Sequence, residues 1–141
     1  MESYTHRVKY YETDRMGVTH HSNYIRFMEE ARVEFLRGIG LDYARMEELG
    51  IVSPVVEVSC SFKKTTTFDD VISIAIRAEE FTGVRLWLSY RMVNGEGAVV
   101  AEARSCHCFL DAAGRPVRLK RDYPDIYEIL MRQTKAAEGQ S

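Results

Sequence analysis

The sequence predicts an α+β fold in which an antiparallel sheet wraps around one long helix. Its 141 residues match the usual size of a single domain. One long amphipathic helix comes early in the chain, and the segments after it have the pattern of strands joined by hairpins. Strands that follow one another without intervening helices form antiparallel sheets. We therefore expect one domain over residues 1–133 and a flexible tail at 134–141.

The first two elements are a short strand and the long helix. Val8, Tyr10 and Tyr11 predict a strand, and Gly17 marks the turn that follows it. From Ser22 onward, apolar residues recur at helical intervals. These apolar positions are Tyr24, Phe27, Met28, Ala31, Phe35 and Leu36.

The start and the width of the long helix lead to two further expectations. Ser22 or Asn23 is expected to cap the first N–H groups of the helix. Ile25 and Val33 widen the apolar stripe beyond one face, which predicts that the sheet covers the helix on most sides. Charged residues fall between the apolar positions, and they are Arg26, Glu29, Arg32 and Arg37.

The remaining elements are a short helix, several strands and a C-terminal helix. A helix is predicted from Asp42, as its cap, to Leu49, and Pro124 lies near the first turn of the last helix. The stretch Asn94-Gly95-Glu96-Gly97 is a strong hairpin signal. The predicted strands in this part of the chain are 55–62, 71–78, 86–92 and 98–110.

Composition excludes several classes of protein. Nineteen Lys and Arg against 21 Asp and Glu give a formal net charge of -2, so there is no bulk positive field to hold a nucleic acid. No apolar run approaches the roughly 20 residues that a membrane span needs. Three cysteines and an N-terminus without the pattern of a signal peptide predict a cytoplasmic protein.

Functional side chains are densest between residues 10 and 24, where the predicted strand passes to the helix. The N-terminus of a helix offers unpaired N–H groups and about half a positive charge, which can hold a developing oxyanion. Asp14 lies seven residues before His21, so its carboxylate can attack a carbonyl or activate a water there. An equally good account makes Asp14 a turn residue that binds neighbouring amides.

Two groups of histidine and cysteine residues are candidate metal ligands, but their spacing argues against a metal site. The adjacent His20 and His21 point in different directions, and no further ligand spacing completes a site. In Cys106-His107-Cys108, the two cysteines share one face of a strand and the histidine lies on the other. We expect buried thiols there and no bound metal.

One longer motif resembles a known family. The motif consists of Tyr11, Asp14, Gly17, Val18, His21 and Tyr24, before a helix that contains Glu30-Ala31-Arg32. The segments 62–70 and 114–118 continue the match. Together they resemble the hotdog-fold acyl-CoA thioesterases of the 4-hydroxybenzoyl-CoA thioesterase and YbgC type. The resemblance implies a five- or six-stranded antiparallel sheet around one long central helix, in a homodimer or in a homotetramer built as a dimer of dimers.

The resemblance also implies roles for individual residues. Asp14 matches the catalytic carboxylate, and His21 stands where a backbone N–H polarises the thioester carbonyl. Contacts to the acyl group or to the coenzyme A phosphates are implied for Gly17, Val18, Tyr24, Thr65, Lys63, Arg85 and Arg118. Coenzyme A is part of the substrate in this interpretation, so no separate cofactor is expected.

Three functions are compatible with this reading, and the first is favoured. It is a thioester hydrolase that releases a free acid and coenzyme A. An acyl-thioester hydratase or dehydratase and a non-catalytic acyl-CoA-binding module stay open as alternatives. Acyl-CoA and acyl-carrier-protein thioesters both fit as substrates, because both end in the same phosphopantetheine arm.

Overall fold

A computed structural model describes residues 3–138, with side chains from 3 to 135. A short 3-10 helix at Tyr10–Glu12 follows the first strand. The strands are β1 (Tyr4–Arg7), β2 (Val55–Phe62), β3 (Val71–Phe81), β4 (Arg85–Val93) and β5 (Val99–Cys108). The α-helices are α1 (Ser22–Gly38), α2 (Tyr43–Glu48), α3 (Leu119–Asp122) and α4 (Pro124–Glu138).

The five strands form one antiparallel sheet in the order β1-β3-β4-β5-β2. The α+β class and the antiparallel sheet predicted from the sequence are therefore confirmed. Two consecutive hairpins place β3, β4 and β5 side by side in the middle, while β1 and β2 lie at the edges. The second hairpin turns where it was predicted, because Asn94 N donates to the Ala98 carbonyl at 2.9 Å.

The central strands owe their burial to strict alternation. Ile72, Ile74 and Ile76 of β3 are all buried, and β4 buries every second residue in the same way. Ile76 lies opposite Tyr90 across the two strands, so the buried residues of β3 and β4 share one face of the sheet. This face supports α1 and α4, which both contact β3.

Helix α1 buries the apolar positions that the sequence predicted, with Phe27 fully buried and Met28 nearly so. Two expectations about its flanks are wrong. Ile25 is 48% exposed, so the sheet of one chain leaves that side of the helix open. Arg32 is only 6% exposed although it was assigned to the charged side, because α1 turns this residue towards the sheet near Tyr90.

The cap predicted for α1 is also wrong. His21 is the N-cap residue, and no side chain caps the helix. The Asn23 side chain instead donates to the Glu12 carbonyl at 2.9 Å, and the Ser22 hydroxyl bonds His20 Nδ1 at 2.9 Å. Asn23 therefore ties the helix start to the preceding loop. The cap predicted for α2 is confirmed, since Asp42 Oδ1 accepts from the Arg45 amide in the first turn of that helix at 2.8 Å.

The first strand lies earlier than predicted. Tyr10 and Tyr11 are exposed in the 3-10 helix, and β1 pairs with β3 through the residues before Val8. The reason is a buried polar pair that bends the chain after β1. Glu12 accepts from the Lys9 amide at 2.7 Å and bonds His6 Nε2 at 2.8 Å with the same carboxylate oxygen.

The expected loose tail also needs correction. Helix α4 runs to residue 138, and Thr134 is buried and bonds the Met131 carbonyl at 2.9 Å. Residues 134–138 are therefore helical, while the part of the predicted tail at 139–141 lies outside the described residues. None of the helices described here has both the length and the apolar character that crossing a membrane requires.

Candidate active site

A cleft of about 290 Å³ lies between the loop at 14–19, the start of α1 and the end of β2. It gathers six of the nine residues that the sequence singled out, namely Asp14, Val18, His21, Tyr24, Lys63 and Thr65. Gly17 belongs to the same loop without lining the cleft. Three further residues line it, namely Thr19, Phe62 and Lys64.

Asp14 sits in a tight turn that uses only one of its carboxylate oxygens. Oδ1 accepts from the Met16 amide at 2.8 Å, and the Asp14 N–H donates to the Val18 carbonyl at 2.8 Å. Gly17 closes the turn with φ +79°, a conformation that is strained for residues with a Cβ. The turn role considered for Asp14 is thus present. The second carboxylate oxygen has no hydrogen-bond partner among residues 3–138, so it is free to act on a substrate.

The start of α1 presents one unused amide. The His20 N–H donates to the Glu12 carbonyl, the Ser22 N–H to His20 Nδ1, and the Asn23 N–H to the His20 carbonyl. The His21 N–H has no acceptor in the described part of the chain. This amide stands at the positive end of a 17-residue helix. A carbonyl oxygen placed there would gain a hydrogen bond and a favourable dipole.

A run of threonines holds the Asp14 loop against α1. Thr66 is buried, and its hydroxyl bonds the Thr19 hydroxyl at 2.6 Å and the Tyr24 hydroxyl at 2.9 Å. Its carbonyl accepts from the Thr19 amide at 2.8 Å. Thr67 adds a bond from its hydroxyl to the Gly17 carbonyl at 2.7 Å. The loop, the helix and the segment after β2 are therefore locked together by polar contacts.

Aromatic rings form one wall of the cleft. The ring centroids of Tyr24 and Phe62 are 5.2 Å apart, and those of His21 and Phe62 are 6.2 Å apart. Phe62 is 52% exposed, which leaves its ring available to an apolar ligand. The Tyr24 hydroxyl is committed to Thr66, and burial raises the pKa of Tyr24 above its usual value. Tyr24 therefore offers the cleft an uncharged surface.

Sequence reasoning missed Phe62 and Thr66 as parts of the site. Phe62 is the last residue of β2, and the approach of that strand end to α1 depends on pairing with β5 far along the chain. The three consecutive threonines at 65–67 were a usable signal, because polar residues after a strand that end up buried need partners.

The residues predicted for phosphate contacts fall into two groups, with Lys63 at the cleft and Arg85 and Arg118 away from it. Lys63 and Lys64 line the cleft, and both donate their backbone N–H to the Val100 carbonyl. Within the described residues neither lysine forms an ion pair. Arg85 and Arg118 are exposed and do not line the cleft of their own chain, as far as residues 3–138 show.

The sheet register explains this separation. Phe62 lies opposite Ala101, whereas Arg85 lies opposite Cys108. Seven residues of β5 separate those two partners, which is roughly 23 Å of strand. The roles predicted for Arg85 and Arg118 stay predictions that a single chain does not test.

No three His, Cys, Asp or Glu side chains come together as a possible metal site in the part of the chain that the structure describes. His20 and His21 stack with their ring centroids 4.2 Å apart. Cys106 is buried and Cys108 is half-buried, and both are free thiols. His107 is buried as well, and it lines a separate cavity.

Known proteins resemble this chain in sequence and in structure. The sequence model described as the thioesterase-like superfamily matches residues 8–136. A provisionally named esterase from Aquifex aeolicus (strain VF5) is 40% identical over 107 residues, which cover 76% of this chain and 83% of that protein. The acyl-CoA thioester hydrolase YbgC from Escherichia coli O6:H1 (strain CFT073) is 29% identical over 97 residues, 69% of this chain and 72% of YbgC. The crystal structure of a DHNA-CoA thioesterase from Staphylococcus aureus matches with a TM-score of 0.93 and 26% identity, covering 99% of this chain and 95% of that one.

Proposed function

This chain belongs to the thioesterase-like superfamily, and on that premise we propose that it hydrolyses acyl-CoA thioesters with Asp14 as the catalytic carboxylate. The membership and the structural match confirm the resemblance to hotdog-fold thioesterases that the motif suggested. The observation that carries the proposal is the shared cleft. One free carboxylate oxygen of Asp14 and the unused N–H of His21 belong to residues that line the same cavity.

The proposed reaction needs no other catalytic group. The thioester carbonyl oxygen accepts from the His21 N–H, and the helix dipole stabilises the negative charge that develops on it. The free oxygen of Asp14 either attacks the carbonyl carbon or takes a proton from an attacking water. The carbon–sulfur bond then breaks, and coenzyme A leaves as a thiolate that takes up a proton. If water attacked, the acyl group is released directly as a free acid; if Asp14 attacked, a water molecule must first hydrolyse the acyl–Asp14 anhydride.

The two roles of Asp14 lead to different labelled products. A nucleophilic Asp14 forms a mixed anhydride, and water that attacks its aspartyl carbon leaves one solvent oxygen in the side chain. A single turnover in H₂¹⁸O, followed by mass analysis of the peptide containing Asp14, detects this label. An Asp14 that only activates water leaves the peptide unlabelled and places the ¹⁸O in the released acid, and so does water that attacks the acyl carbon of the anhydride. Label in the peptide is therefore the result that identifies the nucleophilic role.

Lys63 and Lys64 suit the polyanionic part of coenzyme A. Both lysines line the cleft, and neither is neutralised by a carboxylate in the described part of the chain. Phosphate groups attract ammonium groups at such a surface. The aromatic wall of Tyr24 and Phe62 offers apolar surface to the acyl group. The same arrangement accepts the phosphopantetheine arm of an acyl carrier protein, which lacks the nucleotide phosphates.

We further propose that the active form is a homodimer or a dimer of dimers. Strand β2 is an edge strand, and its apolar residues are exposed, with Val55, Val56, Val58 and Phe62 among them. An exposed apolar edge strand is prone to association unless it is covered. Pairing through β2 would bring a second chain beside the cleft, since Phe62 is the last residue of β2 and also lines the cleft. Light scattering coupled to size-exclusion chromatography measures the mass.

The proposed function is tested by thiol release from a panel of short, long and aromatic acyl-CoAs. Asp14→Asn should lose about 10²- to 10⁴-fold in kcat, the usual contribution of a catalytic acid or base. Its fold should persist, because the amide oxygen of asparagine can still accept from the Met16 N–H.

A matched control is available in a second turn of the same geometry. Asp111 Oδ1 accepts from the Ala113 amide at 2.9 Å, two residues on, as Asp14 Oδ1 does from Met16. Asp111→Asn should keep the wild-type rate. Equal activity of Asp14→Asn and wild type would contradict the proposed mechanism. Hydration of an enoyl-CoA without thiol release would favour a hydratase, and stable binding without turnover would favour a binding module.

A further inference from the structure

A second cavity lies at the other end of α1, between that helix, α2, α4 and the buried face of β4 and β5. Its volume is about 200 Å³, and it shares no lining residue with the Asp14 cleft. Arg32 in its wall comes eleven residues after His21, roughly 16 Å along the helix axis. Most of the wall is apolar and includes Leu36, Leu41, Met46, Leu88, Phe109 and Leu130.

Arg32 is a buried charge without a counterion. It is 6% exposed and lines the cavity, and its side chain makes no ion pair or hydrogen bond with the side chains described, those of residues 3–135. A guanidinium stays protonated at every physiological pH. Burying an unpaired ion costs several kcal/mol, so proteins rarely leave one in this state. Glu47 also lines the cavity, but it is exposed and does not pair with Arg32.

His107 provides a second unmet polar group in the same wall. It is 1% exposed, its Nε2 bonds the Ser105 hydroxyl at 2.7 Å, and its Nδ1 has no partner. The Tyr90 hydroxyl bonds Ser105 at 2.7 Å. If the Tyr90 hydroxyl donates to Ser105 and the Ser105 hydroxyl donates to His107 Nε2, only His107 Nδ1 stays unpaired, and the ring proton lies on Nδ1. The opposite direction would also leave the Tyr90 hydroxyl proton without an acceptor. The unmet group is then an N–H donor.

The neighbours of Arg32 keep its charge uncompensated. Burial and the nearby guanidinium lower the pKa of His107 to about 4, so the imidazole is neutral at pH 7. Burial raises the pKa of Tyr90 above its usual value of 10.0, so its hydroxyl is neutral too. The cavity therefore combines one full positive charge with an apolar lining.

We propose that this cavity binds a small carboxylic acid in its ionised form, with the Arg32 guanidinium holding the carboxylate. Arginine matches a carboxylate with two parallel hydrogen bonds, and the leucine-rich wall takes the apolar body. The size fits, because a cavity of about 150 Å³ already admits benzene. Coenzyme A is far too large for this space. Tyr43 and Val52 line the cavity and are exposed, so a ligand can enter from solvent.

Benzoate and its neutral analogue benzamide test the charge requirement by titration calorimetry. Wild-type protein should bind benzoate at least tenfold more tightly than benzamide. Arg32→Met keeps most of the side-chain volume and should remove this preference while benzamide still binds. Arg26→Met is the matched control, because Arg26 is an exposed arginine on the same helix, and it should keep the preference. Equal affinity for the two probes in the wild type would overturn the proposal.

The location is tested on wild-type protein, so the result does not depend on whether Arg32→Met folds. Histidine ring resonances in labelled protein should move for His107 on titration with benzoate, while those of His21 stay in place. Shifts confined to His21 would assign benzoate to the catalytic cleft and overturn the proposal, as would no binding at all. Neither readout involves thioester hydrolysis, so the proposed function stands or fails separately.

Discussion

The Asp14 cleft and the Arg32 cavity lie towards opposite ends of α1 and handle charge in opposite ways. In the cleft, Lys63 and Lys64 are exposed, and water can solvate them until a substrate arrives. In the cavity, Arg32 is 6% exposed and has no counterion among the described side chains, and the unpaired Nδ1 of His107 is fully buried, which carries a free-energy cost. The two regions therefore differ in how they hold positive charge: the cleft leaves it solvated, whereas the cavity surrounds it with apolar side chains.

The Asp14 cleft and the Arg32 cavity also differ in the elements and contacts that form them. The cleft joins a contiguous loop and helix start to the end of β2, and hydrogen bonds of Thr66 and Asn23 hold these parts together. The cavity is assembled from five elements spread along the sequence, from α1 and α2 through β4 and β5 to Leu130 of α4. Polar contacts therefore fix the cleft, and apolar packing fixes the cavity.

After the loss expected for Asp14→Asn, the largest expected effect concerns the backbone of His21. His21→Pro removes the N–H that we propose as the oxyanion donor, and kcat should fall about 10²- to 10³-fold, as for other oxyanion-hole donors. Proline suits this position because φ of His21 is -56° and proline is accepted at helix starts. Steady-state thiol release gives the rate, and circular dichroism checks the helix.

The control for this prediction is His21→Ala, which keeps the amide and removes the ring. Its kcat should stay within about threefold of wild type, because the ring has no catalytic role in the proposed mechanism. A loss in His21→Ala as large as in His21→Pro would instead assign catalysis to the imidazole. The cleft would then depend on a side chain and not on its backbone.

The second effect is a pH dependence of stability that arises in the cavity. The pKa of His107 is about 4 in the folded protein against an ordinary value of 6.5, through burial and the charge of Arg32. Above pH 6.5 both the folded and the unfolded states are neutral at this residue, and the full stability is present. As pH falls towards 4 the unfolded state binds the proton first, so the free energy of unfolding should drop by about 3 kcal/mol. Urea unfolding across this range measures it.

The contribution of His107 is isolated by comparing variants. His107→Gln does not titrate, so its free energy of unfolding should fall less steeply between pH 6.5 and 4, whatever its absolute stability. His20→Gln changes an exposed histidine and should keep the wild-type slope. Saturating benzoate offsets the charge of Arg32 and should make the wild-type slope shallower. Identical slopes for His107→Gln and wild type would refute this account of the cavity.

The sequence predicted the cleft far better than the cavity, for physical reasons. Asp14 and His21 are close in sequence, and a turn followed by a helix start brings such residues together by local geometry alone. The long helix and the β4–β5 hairpin were predictable in the same way, because the signals for both are local. The cleft residue Phe62 escaped prediction, since its position depends on the pairing of β2 with β5.

Arg32 was assigned to the solvent side because charged residues on a helix usually face water. Arg32 is buried because of the way α1 is rotated about its own axis against the sheet. The apolar stripe does not define this rotation closely enough to tell which residue at its border is buried. The prediction of the first strand was wrong for a related reason. A buried contact between His6 and Glu12 bends the chain there, and contacts of this kind leave no periodic trace in a sequence.

The smallest expected effect is a change in KM that distinguishes phosphate binding at the cleft from carboxylate binding in the cavity. Replacing Lys63 and Lys64 together with glutamine should raise KM for an acyl-CoA about fivefold at low salt and leave kcat unchanged, since exposed ion pairs contribute up to about 1 kcal/mol. Added salt should narrow the difference from wild type. Lys135→Gln, an exposed lysine on α4, is the control and should leave KM unchanged.

The same lysine variant should bind benzoate in the cavity with wild-type affinity, because neither lysine lines that space. An acyl thioester of N-acetylcysteamine lacks the phosphates of coenzyme A, so its KM should not respond to the two substitutions. If KM for this short substrate rises as much as KM for the acyl-CoA, the lysines shape the acyl site and do not recognise phosphate. In that case the cleft would be an open apolar pocket and the cavity an enclosed one, and charge would decide ligand binding only in the cavity.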